Sequence, residues 1–560
     1  MDFIFGQIVS FSFFRLPLNA FYLKAKKHIL KISKREMGEK KMKKRKQFIL
    51  NGLLLTAVSL GMRSVSVSFG VYLSNQIGAA AMGLFTLIST VYGFAITVAT
   101  SGIQFATTRL ISEALGKEDA KAEKENSQTV TCILRKCILY ALCFSLGSAV
   151  TLYVFAPTIG IRFLGDIRTV IPLKILAFTL TPIALSAVLN GYFTAVRRVY
   201  KNAVVQVLGE SVRIFLCVLL FRFLLPNDVE YAILAIVLGG AIAEISSFFL
   251  HYCLYLYDRK KAEKKRIGAC QGERVRKQLF HIALPMAFSA YVRSALITVE
   301  HLLIPVGLEK SGNSREKSLA AYGTVHSMVF PLIMFPAALS SSFAGLLIPE
   351  VAEARAAGNT KSITQTVHRV FEAVLVYAIG VSGILMCFSH ELGKAVYPNT
   401  DAGKYILMLA PLIPIMYLDT SVDAILKGLG EQMYHMTVNI IDSLLSVILV
   451  IFLLPRFGIL GYIMTVYFTE IINATLSLTR LLTVTRIRPR VFCWVVTPIV
   501  CVAASTTFVR YILSSFSSVA DTKMSAAQHV FFAGLLYLSL IALTKLSFKR
   551  KASKTSRPRP

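Results

Sequence analysis

Hydrophobic positions run in long blocks separated by short polar stretches. They show neither the alternation of half-buried strands nor the one-sided stripe of soluble helices. Fourteen apolar stretches can be delimited, at 48–73, 82–103, 137–156, 171–190, 203–225, 231–254, 279–306, 323–347, 371–389, 403–422, 436–455, 459–478, 491–513 and 530–546. Most approach the ~20 residues a helix needs to cross a bilayer. The pattern predicts an all-α polytopic membrane protein.

The blocks repeat. Leu110-Ile-Ser-Glu-Ala114 matches Leu347-Ile-Pro-Glu-Val351 at an offset of 237, and Leu189-Asn-Gly191 matches Leu426-Lys-Gly428 at the same 237. Asn202 falls on Asn439, Ala243-Glu-Ile245 on Thr469-Glu-Ile471, and Arg63-Ser64 on Arg293-Ser294. Spans 1–6 and 7–12 therefore read as two copies of one six-helix unit, inserted the same way round because six is even. Parallel repeats of this kind place a substrate path at the interface between lobes, near the midplane. The expected organisation is a basic N-terminal segment 1–46, an N-lobe 47–257, a basic loop 258–278, a C-lobe 279–480, two appended helices within 481–546 and a basic tail 547–560. Residues 3–22 are apolar but interrupted by Arg15 and Pro17. They read as an interfacial helix, or as an extension if translation starts at Met37 or Met42.

Of the 560 residues 55% are hydrophobic and 16% charged, against about 25% charged in soluble proteins. A soluble enzyme, a disordered chain and a secreted disulfide scaffold are excluded. The net charge of +31 suggests a nucleic-acid binder only until it is located: segments 21–46, 258–277 and 545–560 carry +23 of it. They hold no interleaved aromatic platforms. Basic loops stay cytoplasmic, and with the N-terminus inside, the remaining basic connections alternate correctly. Both termini are expected in the cytoplasm and the chain in the plasma membrane. The nine cysteines form no CxxC pair and no His/Cys cluster with metal-ligand spacing. They read as buried, inert thiols, with no metal or cofactor.

Ionisable groups inside a span cost ~2.5–3.5 kcal/mol for Arg or Asp on insertion scales, so they usually face a cavity or a partner. Arg63 lies about 25 Å of helix beyond Lys46. Arg293 stands at the repeat-related place in span seven, with Glu300 seven residues on. Gln206, Glu210 and Arg213 share one face of span five. Glu244 and Glu470 match between spans six and twelve, and His326, Asp442, Asp419 and Asp423 complete the set. The structural reading pairs Glu210 with Arg213, Arg293 with Glu300 and Asp423 with Lys427. The functional reading gives Arg63 and Arg293 an anionic ligand, because guanidinium stays charged and binds phosphate or carboxylate bidentately. The carboxylates then balance charge or bind a coupling Na⁺ or H⁺; His326 reads more readily as a hydrogen-bonded packing residue. Pro285, Pro331, Pro336, Pro411 and Pro414 are hinge candidates, since membrane helices tolerate breaks where neighbours or water satisfy the freed carbonyls.

The run Gly78-Ala-Ala-Ala-Met-Gly83-Leu-Phe, the stretch Ser101-Gly-Ile103 to Leu110-Ile-Ser-Glu113 and Leu189-Asn-Gly191-Tyr-Phe193 resemble the stage V sporulation protein B family. So do Glu300-His-Leu-Leu-Ile-Pro305, Phe335-Pro336 with Leu347-Ile-Pro349-Glu350, and Ile425-Leu-Lys-Gly428-Leu-Gly430. The resemblance runs from about residue 45 to 480. It points to the polysaccharide-exporter branch of the multidrug/oligosaccharidyl-lipid/polysaccharide flippase superfamily. That implies two six-helix lobes in a V around a central cavity, two extra helices, and outward movement of undecaprenyl-pyrophosphate-linked sugars. Lipid II flippases of this superfamily carry a first-span arginine fifteen residues before a glycine, which Arg63 and Gly78 match. A second arginine of that span corresponds to Phe69 here, a departure. The multidrug branch often uses an aspartate in span one, whereas residues 48–77 contain no Asp or Glu.

These readings lead to a lipid-linked oligosaccharide flippase serving peptidoglycan or the spore cortex, acting as a monomer in the bilayer. Arg63 and Arg293 would hold the pyrophosphate, and cell-wall synthases are candidate partners. The alternatives are a cation-coupled multidrug antiporter using Glu300 with Asp419 or Asp423, and a non-transporting scaffold for wall synthases. A membrane enzyme is disfavoured, as no nucleophile–base set is evident.

Overall fold

A computed structural model describes residues 18–116, 123–224, 229–262, 272–397, 400–486, 492–516 and 522–555. The side chains of the 1–46 segment, the basic connections at 117–121 and 487–490, and the centre of the 258–277 loop lie outside the described residues. Contacts divide the chain into Met1–Ser59 and Leu60–Pro560, and the membrane-spanning bundle belongs to the second unit.

Among the described residues all regular structure is helical, and twelve helices are long and apolar enough to cross a membrane. The apolar pattern predicts fourteen spans, and the difference has two physical sources. The first two spans lie within one continuous run, Leu60–Leu115. A straight helix of its 56 residues would measure about 84 Å, far beyond the ~30 Å hydrocarbon core. The run is instead broken at Gly78, with φ 80° and ψ 170°, a conformation essentially reserved for glycine. The eighth span is not one helix either. It is divided into Arg315–Gly323, a π-helical stretch Thr324–Val329, Phe330–Met334 and Ala337–Ala356, with Pro331 and Pro336 at the breaks.

The two halves pack alike. Val199–Leu224 lies on Val229–Ala262 as Gln432–Phe457 lies on Ile459–Thr485, and Ile103–Gly116 lies on Val170–Ala195 as Ala337–Ala356 lies on Ile413–Gly428. Glycines at the repeat offset permit the latter contacts. A Cβ on Gly191 would stand 2.7 Å from the Gln104 carbonyl oxygen, and one on Gly428 would stand 2.9 Å from that of Ile348. Large side chains such as Phe178, Phe215, Phe452 and Leu538 are exposed on helices whose other faces are buried, a surface suited to lipid. Not every cysteine is buried: Cys143 and Cys253 are exposed, Cys137, Cys217 and Cys501 buried.

The halves touch at both ends of the bundle. At the end bearing Gly78, which the charge pattern predicts to be external, Gly83 and Gly323 bring the first-half helix against Arg315–Gly323. There the Arg315 guanidinium donates to the Leu164 carbonyl and pairs with Glu309 at 2.8 Å. Burial alone would raise the neighbouring Asp166 carboxyl, but hydrogen bonds from the Arg168 side chain and backbone, with the charges of Arg168 and Arg315, hold it below the usual carboxylate range. At the opposite end Tyr291 donates to Ser101 at 2.5 Å, and Gly102 (φ 69°) faces the Ala283 carbonyl.

Candidate translocation site

Breaking a helix in a membrane frees carbonyls that lipid cannot satisfy. Around the divided eighth span four carbonyls have a specific donor: Tyr397 to the Met328 carbonyl at 3.2 Å, Tyr417 to Ile333 at 2.6 Å, Arg63 to Met334 at 3.4 Å and Tyr377 to Pro336 at 2.9 Å. In the tenth span Pro414 has no N–H for the Ala410 carbonyl four residues earlier; Ser382 donates there instead at 2.7 Å, and Tyr467 caps the nearby Met408 carbonyl at 2.6 Å. The chain turns through a short 3₁₀ segment, Ala410–Leu412, at Pro411. Four of the five hinge prolines thus coincide with breaks or helix starts. At Pro285 the helix Gly272–Lys310 continues unbroken.

Two polar groups occupy the halves. In the first, Glu210 pairs with Arg213 at 3.3 Å and accepts from Ser66 at 3.1 Å, and Glu244 lies within electrostatic reach of both Glu210 and Arg213. Gln206 and Glu244 are exposed. Arg63 is exposed too and reaches across to the second half, at Met334. Phe69, the position of departure from the lipid II flippases, is buried in the core and stacks on Tyr72.

The second half gathers acid. Glu300 accepts from Ser446 at 2.5 Å and feels Asp442; Asp419 accepts from Asn473 at 3.1 Å; Asp419, Asp423 and Asp442 all act on Glu470. Opposed to these five carboxylates is Arg293, exposed and within reach of Asp442. Spacing along the helix predicts Arg293 as the partner of Glu300, but the structure gives it Ser446. Asp423 pairs with His435 at 2.8 Å rather than with Lys427, because the next helix brings His435 over it while the exposed Lys427 sits at the helix end. Asp419 and Asp442 each keep one buried oxygen with no hydrogen-bond partner among the described residues. Among those residues no three His, Cys, Asp or Glu side chains close around one metal position.

Beside this acidic group lies an apolar cavity of about 850 Å³, walled by Leu375, Ile379, Leu478, Ile499 and Val502, with Asp419 on its rim. Its far wall is the appended helix Thr497–Phe516, seated by close packing of Gly383 on Val502. Sequence reasoning found the carboxylates and arginines but not Ser446, Asn473 and His435, which carry no signal without the fold. It also passed over His301, although its place beside Glu300 was legible.

A model for "Polysaccharide biosynthesis protein" matches residues 49–310 and one for "MatE" matches 311–452. Stage V sporulation protein B of Bacillus subtilis (strain 168) is 26% identical over 74% of this chain and 80% of its own length. The lipid II flippase MurJ of the same organism is 23% identical over 67% of this chain and 72% of its own. Among solved structures, a lipid II flippase MurJ in an inward closed conformation superposes with TM-score 0.65 at 14% identity, covering 89% of this chain and 99% of that one. An inward-facing multidrug resistance MATE family transporter gives 0.57 at 16% identity, covering 77% and 99%. Two repeat-related halves, broken helices at their seam and these relatives converge: in sequence and in fold the chain is similar to membrane transporters of the multidrug/oligosaccharidyl-lipid/polysaccharide flippase superfamily.

Proposed function

We propose that this transporter moves an undecaprenyl-pyrophosphate-linked oligosaccharide, lipid II or a related polysaccharide precursor, across the plasma membrane for cell-wall or spore-cortex synthesis. The observation that carries this reading is the 850 Å³ apolar cavity between the second half and the appended helices. Its lining is almost wholly apolar, which suits a prenyl tail better than a drug cation. The lipid head group would lie toward the seam, where Arg63 and Arg293 stand exposed at repeat-related positions. Guanidinium there binds pyrophosphate bidentately. The five second-half carboxylates favour coupling to Na⁺ or H⁺. The lobes rock about the midplane with both termini in the cytoplasm.

Mass spectrometry of lipids co-purifying with wild type, Arg63→Ala and Arg293→Ala tests the reading. Wild type retains undecaprenyl-pyrophosphate species and both variants lose them while inserting normally. Equal retention by both variants removes the pyrophosphate role. Drug efflux driven by an ion gradient, with no such lipid bound, would favour the antiporter.

A further inference from the structure

The seam near Gly78 contains a second titratable group that the lipid path does not use. His301, on the helix after Glu300, is buried, and its Nδ1 lies 2.7 Å from the Tyr322 hydroxyl. The His301 and His326 rings meet edge to face with centroids 4.3 Å apart, and Tyr322 stacks on His326 at 5.6 Å. Tyr462, also buried, approaches His326 Nδ1 at 3.5 Å. His326 sits in the π-helical stretch Thr324–Val329, a local widening often found at functional positions.

The Tyr322 hydroxyl engages one imidazole nitrogen of His301, and a neutral imidazole keeps one lone pair that can take a proton. The pair stands at the seam, because Thr86 of the first half bonds Ser327, next to His326.

The surroundings supply little to hold a charge. Facing the pair are Glu300 and His301 from Gly272–Lys310, Tyr322 and His326 from the divided eighth span, Tyr462 from Ile459–Thr485, and Tyr397 and Tyr405 from the segments packed on the π-helical stretch. Of these facing groups, Asp442 and Ser446 act on Glu300 alone. Among these, Glu300 is the single carboxylate near the pair, and Ser446 already engages it. Two imidazoles in ring contact cannot both be charged, and a lone imidazolium in a dry seam costs several kcal/mol unless hydrated or paired.

We propose that His301 and His326 form a proton-binding site at the seam, empty while the Gly78 end is closed and filled when that end opens to water. Proton affinity then differs between the two states, so acid on that side pulls the transporter open there, and closure expels the proton. Asp166 at the neighbouring contact is held low and stays charged through this pH range, so it does not imitate the effect. The proposal rests on movement of the two halves and is independent of which lipid is carried.

The test places spin labels at Ile161 and Lys317, one on each half at that end, in a background with the nine native cysteines replaced. Distances are read by electron–electron resonance in detergent, without added lipid, from pH 8 to pH 5. Wild type is expected to raise its open-to-closed ratio at least about fivefold on acidification. His301→Gln with His326→Gln flattens the response, while Asp166→Asn, which keeps both imidazoles, retains it. An unresponsive wild type, a double variant that responds like wild type, or a response lost in Asp166→Asn alone overturns the proposal. If the double variant fails to fold, the single His301→Gln, whose amide can still hydrogen-bond to Tyr322, is read against the same criteria. Lipid retention by the wild type is scored separately, so a failure here leaves the lipid assignment standing.

Discussion

Gly323→Ala isolates what holds the Gly78 end closed. The methyl would overlap the Ala79 carbonyl and stand 2.6 Å from Gly83 N and 3.0 Å from Gly83 Cα. Carbon contacts settle near 3.5–4.0 Å, so the two helices must part by roughly 1 Å, and both obstacles are backbone that cannot swing aside. Overpacking of this kind costs about 1–3 kcal/mol. The cost falls only on the closed form, because a parted seam has room for the methyl. At a tenfold change per 1.4 kcal/mol, the closed-to-open ratio drops by about 5- to 150-fold. Spin labels at Ile161 and Lys317 read the shift at fixed pH. Gly93→Ala on the same first-half run is the control, since a Cβ there meets nothing within 4 Å. Unchanged distances in Gly323→Ala, with normal insertion, would refute the argument that glycine contact sets the closure.

The Arg315 contact at the same end is partly exposed, so Arg315→Ala should favour opening by only about 0.5–1.5 kcal/mol, visible as a modest lengthening between the same labels. Asp258 is buried and pairs with Lys201 at 2.6 Å and Arg198 at 2.7 Å; Asp258→Ala strands the buried Lys201 and should cost about 3–5 kcal/mol. A lowered detergent melting temperature measures this, and adding Lys201→Met should recover much of it. Ala474 and Ala503 line the apolar cavity; Ala474→Trp or Ala503→Trp should lower co-purified prenyl lipid without lowering the melting temperature. Undiminished lipid in both would place the tail elsewhere.

The class of fold was legible because membrane insertion imposes its own code: apolar blocks near twenty residues, basic flanks and a 237-residue echo survive without any knowledge of packing. The same code made the charged intramembrane residues conspicuous, and Arg63, Glu210, Glu300 and Asp419 do lie in polar groups. Their partners were not legible. Spacing along one helix suggested Arg293 for Glu300, but a carboxylate takes whatever donor a neighbouring helix presents, and here that is Ser446. The division of the eighth span was half visible in Pro331 and Pro336. That tyrosines from three other segments and Arg63 would cap its freed carbonyls depends on where distant helices come to rest. The histidine pair shows the same limit most sharply. His301 and His326 are twenty-five residues apart on different segments, and only the packing of the halves sets their rings 4.3 Å from one another. The sequence alone determined that the chain crosses the membrane many times as two related halves and which charges are anomalous there. The tertiary structure decided which of those charges meet, because hydrogen bonds and ring contacts form between helices whose relative placement no local pattern encodes.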